Sequence, residues 1–205
     1  MTFNGFEQKD FDTFQIDGLE NRMEAIQQRI QPKFEIIGTE LATHLSATLG
    51  NEMFLHIARH ARRSVNPPND TWLAVAHSKR GYKMLPHFQV GLFDDHIFIW
   101  LAFIYELPYK EKIAKQFIKQ LDELQELPKD FVVSLDHMKK DAFSIKELTE
   151  TNLERFRDVK KAEFLVGRHI SPTEAIDMNG KELIDHIKET IDTLIPFYRS
   201  SLDTI

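Results

Sequence analysis

The chain has 205 residues, of which 42% are hydrophobic and 28% charged, so it fits one folded domain spanning residues 1–205. It contains no cysteine, which excludes disulfide scaffolds, thiolate metal sites and cysteine nucleophiles. Its net charge of −6 argues against a surface that coats a nucleic acid or a membrane as a whole. The N-terminus lacks a basic and then apolar signal, and no 18-residue uncharged stretch exists. We therefore expect a cytoplasmic protein with no membrane partner.

The first third of the chain has the apolar spacing of helices. Apolar residues recur at helical intervals over residues 19–30 and 34–45, which predicts two helices that meet near Pro32 and end at Gly50. Residues 53–63 fit either a helix or a strand. A strand is favoured because Gly50 and Asn51 form a turn signal before the segment.

The centre of the chain has the pattern of strands. Residues 71–76 are a short apolar run, residues 88–92 alternate, and Asp94-Asp95 predicts a turn before residues 97–104. This last run is apolar on both faces, so we expect it to be a central and fully buried strand.

The second half alternates between helices and strands. We expect a helix from Pro108 to about Pro128, strands over residues 131–135 and 163–170, a short helix capped by Thr149, and a last helix over 181–195 closed by Pro196. Hairpin strands followed by β-α-β crossovers predict an α+β fold, with a mixed, largely antiparallel sheet packed with helices.

One segment, residues 56–87, is unusually basic. It holds six Lys and Arg residues and one Asp, a net charge of +5, which leaves −11 on the rest of the chain. Because a predicted hairpin joins its two basic pairs, we expect these cations to cluster at one edge and to bind an anion such as phosphate. The candidate anion-binding residues are His60, Arg62, Arg63, Lys79, Arg80, Tyr82 and Lys83. The alternative is that these cations pair with the acidic remainder or face solvent.

Other motifs give weaker indications. There is no phosphate loop and no Gly-x-Gly-x-x-Gly motif, so no cofactor is expected. On a strand, His56 and His60 would lie about 13 Å apart at roughly 3.3 Å per residue, so no metal site is expected. Asp136-His137 suggests a carboxylate that orients an imidazole, but neighbouring strand residues face opposite sides of a sheet, so no catalytic residues are assigned.

Two stretches resemble a known family. The segments His60-Ala61-Arg62-Arg63-Ser64-Val65-Asn66-Pro67-Pro68-Asn69-Asp70-Thr71-Trp72 and Ser78-Lys79-Arg80-Gly81-Tyr82-Lys83-Met84-Leu85-Pro86-His87-Phe88 are similar to the YktB-like family of bacterial proteins of unknown function. The resemblance extends over the whole chain. It implies a small α+β bacterial protein and carries over no catalytic residues.

Three functional hypotheses follow. The first is a cytoplasmic module that binds a phosphorylated small molecule or a short nucleic acid through residues 56–87. The second is an enzyme that acts on a phosphate-bearing substrate with a histidine as acid or base. The third is a regulatory protein that docks an acidic partner. A concave pocket with a histidine favours the enzyme, and a flat edge favours docking.

Overall fold

A seven-stranded antiparallel sheet organises the chain in the computed structural model, which describes residues 2–204. The strand order is β1-β2-β3-β4-β7-β5-β6. The strands are β1 (Phe54–Ile57), β2 (Thr71–Ala76), β3 (His87–Leu92), β4 (Ile97–Phe103), β5 (Phe131–Ser134), β6 (Phe143–Ser144) and β7 (Phe164–Ile170). The α+β class and the largely antiparallel sheet are confirmed. Within residues 2–204 the expected parallel pairs do not form, because β7 inserts between β4 and β5 and is antiparallel to both.

Strand β4 lies at the centre of the sheet and is buried along its whole length, as its two-sided apolarity predicts. Its residues alternate between two faces. Ile97, Ile99 and Leu101 belong to the large core beneath the helices, whereas Phe98 and Trp100 belong to a smaller core on the opposite face. The sheet therefore separates a helical layer from a second face.

Eight α-helices lie within residues 2–204. They are α1 (Gln8–Asp12), α2 (Leu19–Ala25), α3 (Gln31–Leu49), α4 (Lys110–Lys119), α5 (Leu121–Glu126), α6 (Glu150–Asp158), α7 (Pro172–Asp177) and α8 (Gly180–Leu202). Residues 26–30 form a π-helical turn between α2 and α3, immediately before Pro32. None of these helices has both the length and the apolarity needed to cross a membrane.

Of two predictions about helix ends, one is confirmed and one is wrong. Gly50 ends α3 in the left-handed conformation, as expected. Helix α8 does not end at Pro196 but continues to Leu202. The helix beyond the proline buries Phe197 and Tyr198, and burying two aromatic side chains offsets the hydrogen bond that the proline removes.

The second face of the sheet is covered in part by the loops that follow the strands and by a short 3₁₀ helix, Tyr82–Met84, whose Tyr82 packs against the smaller core. Trp72 and Phe98 flank Gly91 across two strand pairs, and Trp100 lies opposite Gly167. A β-carbon at Gly91 would overlap the ring of Phe98. Gly91 therefore leaves room for the ring of Phe98, and the aromatic side chains of this face form the floor on which the loops pack.

The register between β1 and β2 determines where the two loops that carry the basic residues lie. Phe54 pairs with Ala76 and Ile57 pairs with Leu73, so β2 runs back along the whole of β1. The loop of residues 58–70 therefore leaves one end of the hairpin, and residues 77–81 leave the other. The strand predicted for residues 53–63 is present only as β1, and the chain leaves the sheet after Ile57.

Candidate functional site

Trp72 forms the floor of a cavity on the second face. Its Nε1–H donates to the hydroxyl of Tyr82 at 3.0 Å. The rings of His60 and His137 stand nearly perpendicular to the indole, with centroid distances of 5.5 and 6.1 Å. The Lys83 Nζ lies 5.7 Å from the ring centroid, within range of a cation–π interaction. One indole thus brings together side chains from three other segments of the chain.

This cavity, here called the basic cavity, has a volume of about 440 Å³. Among its charged residues are four Lys and Arg side chains and one carboxylate, Glu106, whose Oε1 lies 3.9 Å from the Nζ of Lys83. None of the other five cations of residues 56–87 lies within 4 Å of a carboxylate in residues 2–204. The cavity is lined by Ile57, Ala58, Arg59, His60, Ala61, Arg62, Arg63, Trp72, Tyr82, Lys83, Tyr105, Glu106, His137 and Met138.

His60 marks the point where the chain turns over the cavity. It adopts a left-handed backbone conformation with φ of 50°, and its Nε2 lies 3.1 Å from the Thr71 Oγ1. Burial lowers the pKa of His60 to about 4, and the positive charges of Arg63 and Lys83 act in the same direction. The imidazole is therefore neutral at pH 7 in the ligand-free cavity. A bound anion would offset those two charges and raise its pKa.

The seven predicted anion-binding residues do not all meet at one place. His60, Arg62, Arg63, Tyr82 and Lys83 line the basic cavity. Lys79 instead lies over the ring of Phe54 at 5.1 Å and lines an adjoining cavity beside β1, which shares Ile57, Arg59 and Tyr82 with the basic cavity. Arg80 is exposed and lines neither of them. The expected single cluster is wrong in this respect, because β2 holds the two basic pairs at opposite ends of the hairpin.

His137 is held by a carboxylate that is distant in sequence. Its Nδ1 lies 2.8 and 2.9 Å from the two oxygens of Glu163, and its backbone N–H donates to Glu163 Oε2 at 2.8 Å. Both side chains are buried. The partner is not Asp136, whose carboxylate instead accepts the backbone N–H of Met138 at 3.0 Å. The pairing arises because Glu163 precedes β7 and His137 follows the neighbouring β5.

The loop that leads into Glu163 is fixed by a buried lysine. Lys110 Nζ donates to the carbonyl oxygens of Val159, Lys160 and Ala162 at 2.6, 3.0 and 2.8 Å. Because these three bonds hold the chain immediately before Glu163, they help to position the carboxylate against His137.

The arrangement of Asp136, His137 and Glu163 fits a hydrogen-bonded His–Glu pair better than a metal site. Ligand atoms of Asp136, His137 and Glu163 lie within 4.8 Å of one another. However, the Glu163 carboxylate accepts the Nδ1–H and backbone N–H of His137, and also the backbone N–H of Tyr105 at 3.3 Å. A metal ion at this point would have to displace the His137 Nδ1–H from its acceptor.

A second cavity of about 520 Å³, here called the flanking cavity, lies on the other side of His137. The two cavities share Tyr105, His137 and Met138, and the side chains of Tyr105 and Met138 are largely exposed at their rim. Its lining is mixed in charge and polarity, with Tyr105, Leu135, Asp136, His137, Met138, Lys139, Asp141, Ala142, Phe143, Arg155, Lys161 and Glu163. His137 therefore lies between a cationic space and a mixed one.

Asp70 is a buried charge without a compensating bond. It is 1% exposed, and neither carboxylate oxygen has a hydrogen-bond partner among the described residues. Burial raises the pKa of Asp70 to about 6, against the opposing influence of His137 and Arg63. The carboxylate thus destabilises the fold at neutral pH, directly next to Thr71 and Trp72 of the cavity.

Comparison with known proteins places the chain in a family. The family described as "Domain of unknown function (DUF1054)" matches residues 6–198. The chain belongs to the DUF1054 family. It is 61% identical to the UPF0637 protein of Oceanobacillus iheyensis over 201 residues, which cover 98% of both chains. It is 61% identical to one from Shouchella clausii over 98% of this chain and 97% of the relative, and 57% identical to one from Listeria welshimeri over 98% of this chain and all of that one.

The DUF1054 assignment confirms the resemblance to an uncharacterised bacterial family. Within this DUF1054 protein, sequence reasoning found five residues of the basic cavity but missed Arg59, Glu106 and Tyr105 there, and also missed Glu163, which holds His137. The sequence position of Glu163 could have identified it as a buried carboxylate. It is a carboxylate placed directly between Ala162 and the apolar run of β7, a position where a buried acid needs a partner.

Proposed function

We propose that this DUF1054 protein binds a phosphorylated small molecule in the basic cavity. The observation that carries the proposal is a concave space that contains four Lys and Arg side chains and a single carboxylate. Like charges so close together repel one another, and an anion relieves the repulsion. Arg62 and Arg63 suit phosphate because a guanidinium donates two parallel hydrogen bonds to phosphate oxygens.

The proposal is supported by what these cations do not contact. If they served only the fold, they would pair with the carboxylates that give the chain its acidic total. Only Lys83 approaches a carboxylate within residues 2–204. Arg63 donates to the carbonyl oxygens of Asn66 and Pro67 at 3.3 and 3.4 Å and forms no ion pair within 4 Å among residues 2–204.

Cavity shape favours a small ligand over a docked partner or a nucleic acid. A volume of about 440 Å³ lies within the range of about 300–1,000 Å³ that is typical of small-molecule sites. A docking surface for an acidic protein would be flatter and larger. A nucleic acid would need a basic stripe beyond the cavity, and the rest of the chain is acidic.

Calorimetric titration of the full chain tests the proposal. The ligands are inorganic phosphate, ribose 5-phosphate, a nucleoside monophosphate and a short single-stranded RNA. We expect the three small phosphates to bind and to compete with one another, and the RNA to bind no more tightly per site than the monophosphate. Absence of binding by all three small phosphates at low salt would exclude the proposal.

A matched pair of double variants locates the site. Arg62→Gln with Arg63→Gln removes two charge-assisted contacts, together worth about 3 kcal/mol or more, so the affinity should fall roughly 100-fold. Lys79→Gln with Arg80→Gln makes the same change in net charge outside the cavity. At about 0.15 M salt, where the screening length is about 8 Å, this second pair should change the affinity only slightly. Equal losses in both variants would indicate a diffuse electrostatic effect and no site.

A further inference from the structure

The imidazole of His137 is fixed in position by its contacts. Its Nδ1 faces both oxygens of Glu163, its backbone N–H donates to the same carboxylate, and its ring packs perpendicular to Trp72. A carboxylate can only accept, so Nδ1 carries the proton and donates it. In the neutral form of the ring the lone pair then resides on Nε2.

Nε2 of His137 is the free end of this arrangement. It has no hydrogen-bond partner within residues 2–204, and it is not among the buried polar atoms that are sealed from solvent. The ring lines both the basic cavity and the flanking cavity. A nucleophilic lone pair is therefore available beside the cations that we assign to phosphate.

We propose that His137 Nε2 accepts a phosphoryl group from the ligand of the basic cavity, an inference that rests on the proposed function. The Nε2 lone pair forms an N–P bond while the P–O bond to the leaving group breaks. The leaving oxygen keeps the bonding electron pair and takes a proton from water. A water molecule then attacks phosphorus, the N–P bond breaks, and its electron pair returns to Nε2. The proton lost by this water passes to solvent, and inorganic phosphate leaves.

The surrounding charges suit both states of this reaction. Arg62, Arg63 and Lys83 can neutralise the oxygens of the phosphoryl group in transit. Phosphorylation at Nε2 leaves the ring with its Nδ1–H and a positive charge, which faces the carboxylate of Glu163. The flanking cavity, with Tyr105 and Met138 at its rim, provides space for the organic leaving group.

Phosphoramidate, a small phosphoryl donor, is the probe that tests this inference on the full chain. Intact mass, phosphorus NMR and site mapping by tandem mass spectrometry would follow the label. We expect one acid-labile phosphoryl group per chain, on His137. His44 is the internal control, because its Nε2 also contacts a carboxylate, that of Asp192 at 2.7 Å, but on a helix away from the cavity cations. Labelling of His137 should be roughly 100-fold faster, as for a transition state stabilised by fixed charges.

Glu163→Gln tests the positioning role of the carboxylate. The glutamine oxygen can still accept the backbone N–H of His137, which donates to Oε2 in the wild type, while the amide nitrogen in place of Oε1 donates to Nδ1 and moves the ring proton to Nε2. The backbone N–H of Tyr105 then loses its acceptor. We expect the labelling rate to fall by 10²-fold or more, since the wrong tautomer of a catalytic histidine can lower a reaction rate by about 10⁴-fold. Imidazole nitrogen NMR should report the change of tautomer, while the affinity for inorganic phosphate stays the same.

The outcomes separate this inference from the proposed function. Phosphate binding without labelling of His137 would overturn the inference and leave the binding proposal standing. Labelling spread evenly over His137 and His44, or a Glu163→Gln variant that labels at the wild-type rate, would also overturn it. Specific labelling of His137 without measurable phosphate affinity would support the nucleophile and contradict the binding proposal. Because the site is mapped on the wild-type chain, the test does not depend on a His137 variant that folds.

Discussion

Replacing Asp70 by asparagine should stabilise the protein at neutral pH. The carboxylate is 1% exposed, has no hydrogen-bond partner among the described residues, and has a pKa raised to about 6 from its usual 3.8. A folded pKa above the unfolded one means that the folded state binds the proton more tightly. Ionised Asp70 therefore costs stability above pH 6, and the cost disappears as the pH falls from 6 to about 4.

The raised pKa of Asp70 sets how much stability the substitution should gain. Two pKa units correspond to roughly 3 kcal/mol at 1.36 kcal/mol per unit, which is an upper bound for a group that water partly reaches during fluctuations. Asparagine and protonated aspartic acid are both neutral and similar in shape, so the unpaired polar group is common to both proteins at low pH. We expect Asp70→Asn to gain about 2 kcal/mol at pH 7.5, or about 4–8 °C in melting temperature, and almost nothing at pH 4.5.

Urea titrations of wild type and Asp70→Asn at the two pH values measure this difference. Asp177→Asn is the control, because Asp177 is exposed and its replacement should change the free energy of unfolding by no more than about 0.5 kcal/mol. A variant less stable than wild type at pH 7.5, or a gain that does not depend on pH, would show that Asp70 has a compensating partner and refute the reasoning.

Three further predictions concern stability. Lys110→Met leaves three carbonyl oxygens without their donor, one of them in a fully buried bond, and should cost about 2–3 kcal/mol in a urea titration, whereas Lys112→Met, on the exposed side of the same helix, should be nearly neutral. His87 donates to Leu85 O and has a pKa lowered to about 4 by burial, so its contribution to stability is present above pH 6.5 and is lost as the pH falls towards 4; His87→Gln should weaken that acid dependence. A strong chelator should leave the melting temperature unchanged, and a drop that zinc reverses would establish a metal at Asp136, His137 and Glu163.

Much of the fold could be read from local patterns. The run of residues 97–104 is apolar on both faces. Because only a central strand buries both faces, this pattern correctly predicts β4. Gly50 was predictable as a helix end because the left-handed conformation there favours glycine. Helix α7 was missed, although Ser171, Pro172 and Glu174 carry the signature of a capped helix start.

Local sequence patterns could not predict the features that depend on packing between residues distant in the sequence. Helix α8 continues past Pro196 because Phe197 and Tyr198 reach the core, which no local rule reveals. Composition located the basic segment, but the register of β1 against β2 separated Lys79 and Arg80 from Arg62 and Arg63. The pairing of His137 with Glu163 depends on β7 lying next to β5, a neighbour relation that the order of elements left open.

A crystal structure of the full chain soaked with tungstate, an electron-dense analogue of phosphate, tests the central claim most directly. The account predicts an anomalous peak in the basic cavity, within hydrogen-bond distance of Arg63 and Lys83 and next to His137. A peak only beside Lys79 and Arg80, or a basic cavity that remains empty at concentrations where small phosphates bind in solution, would contradict it.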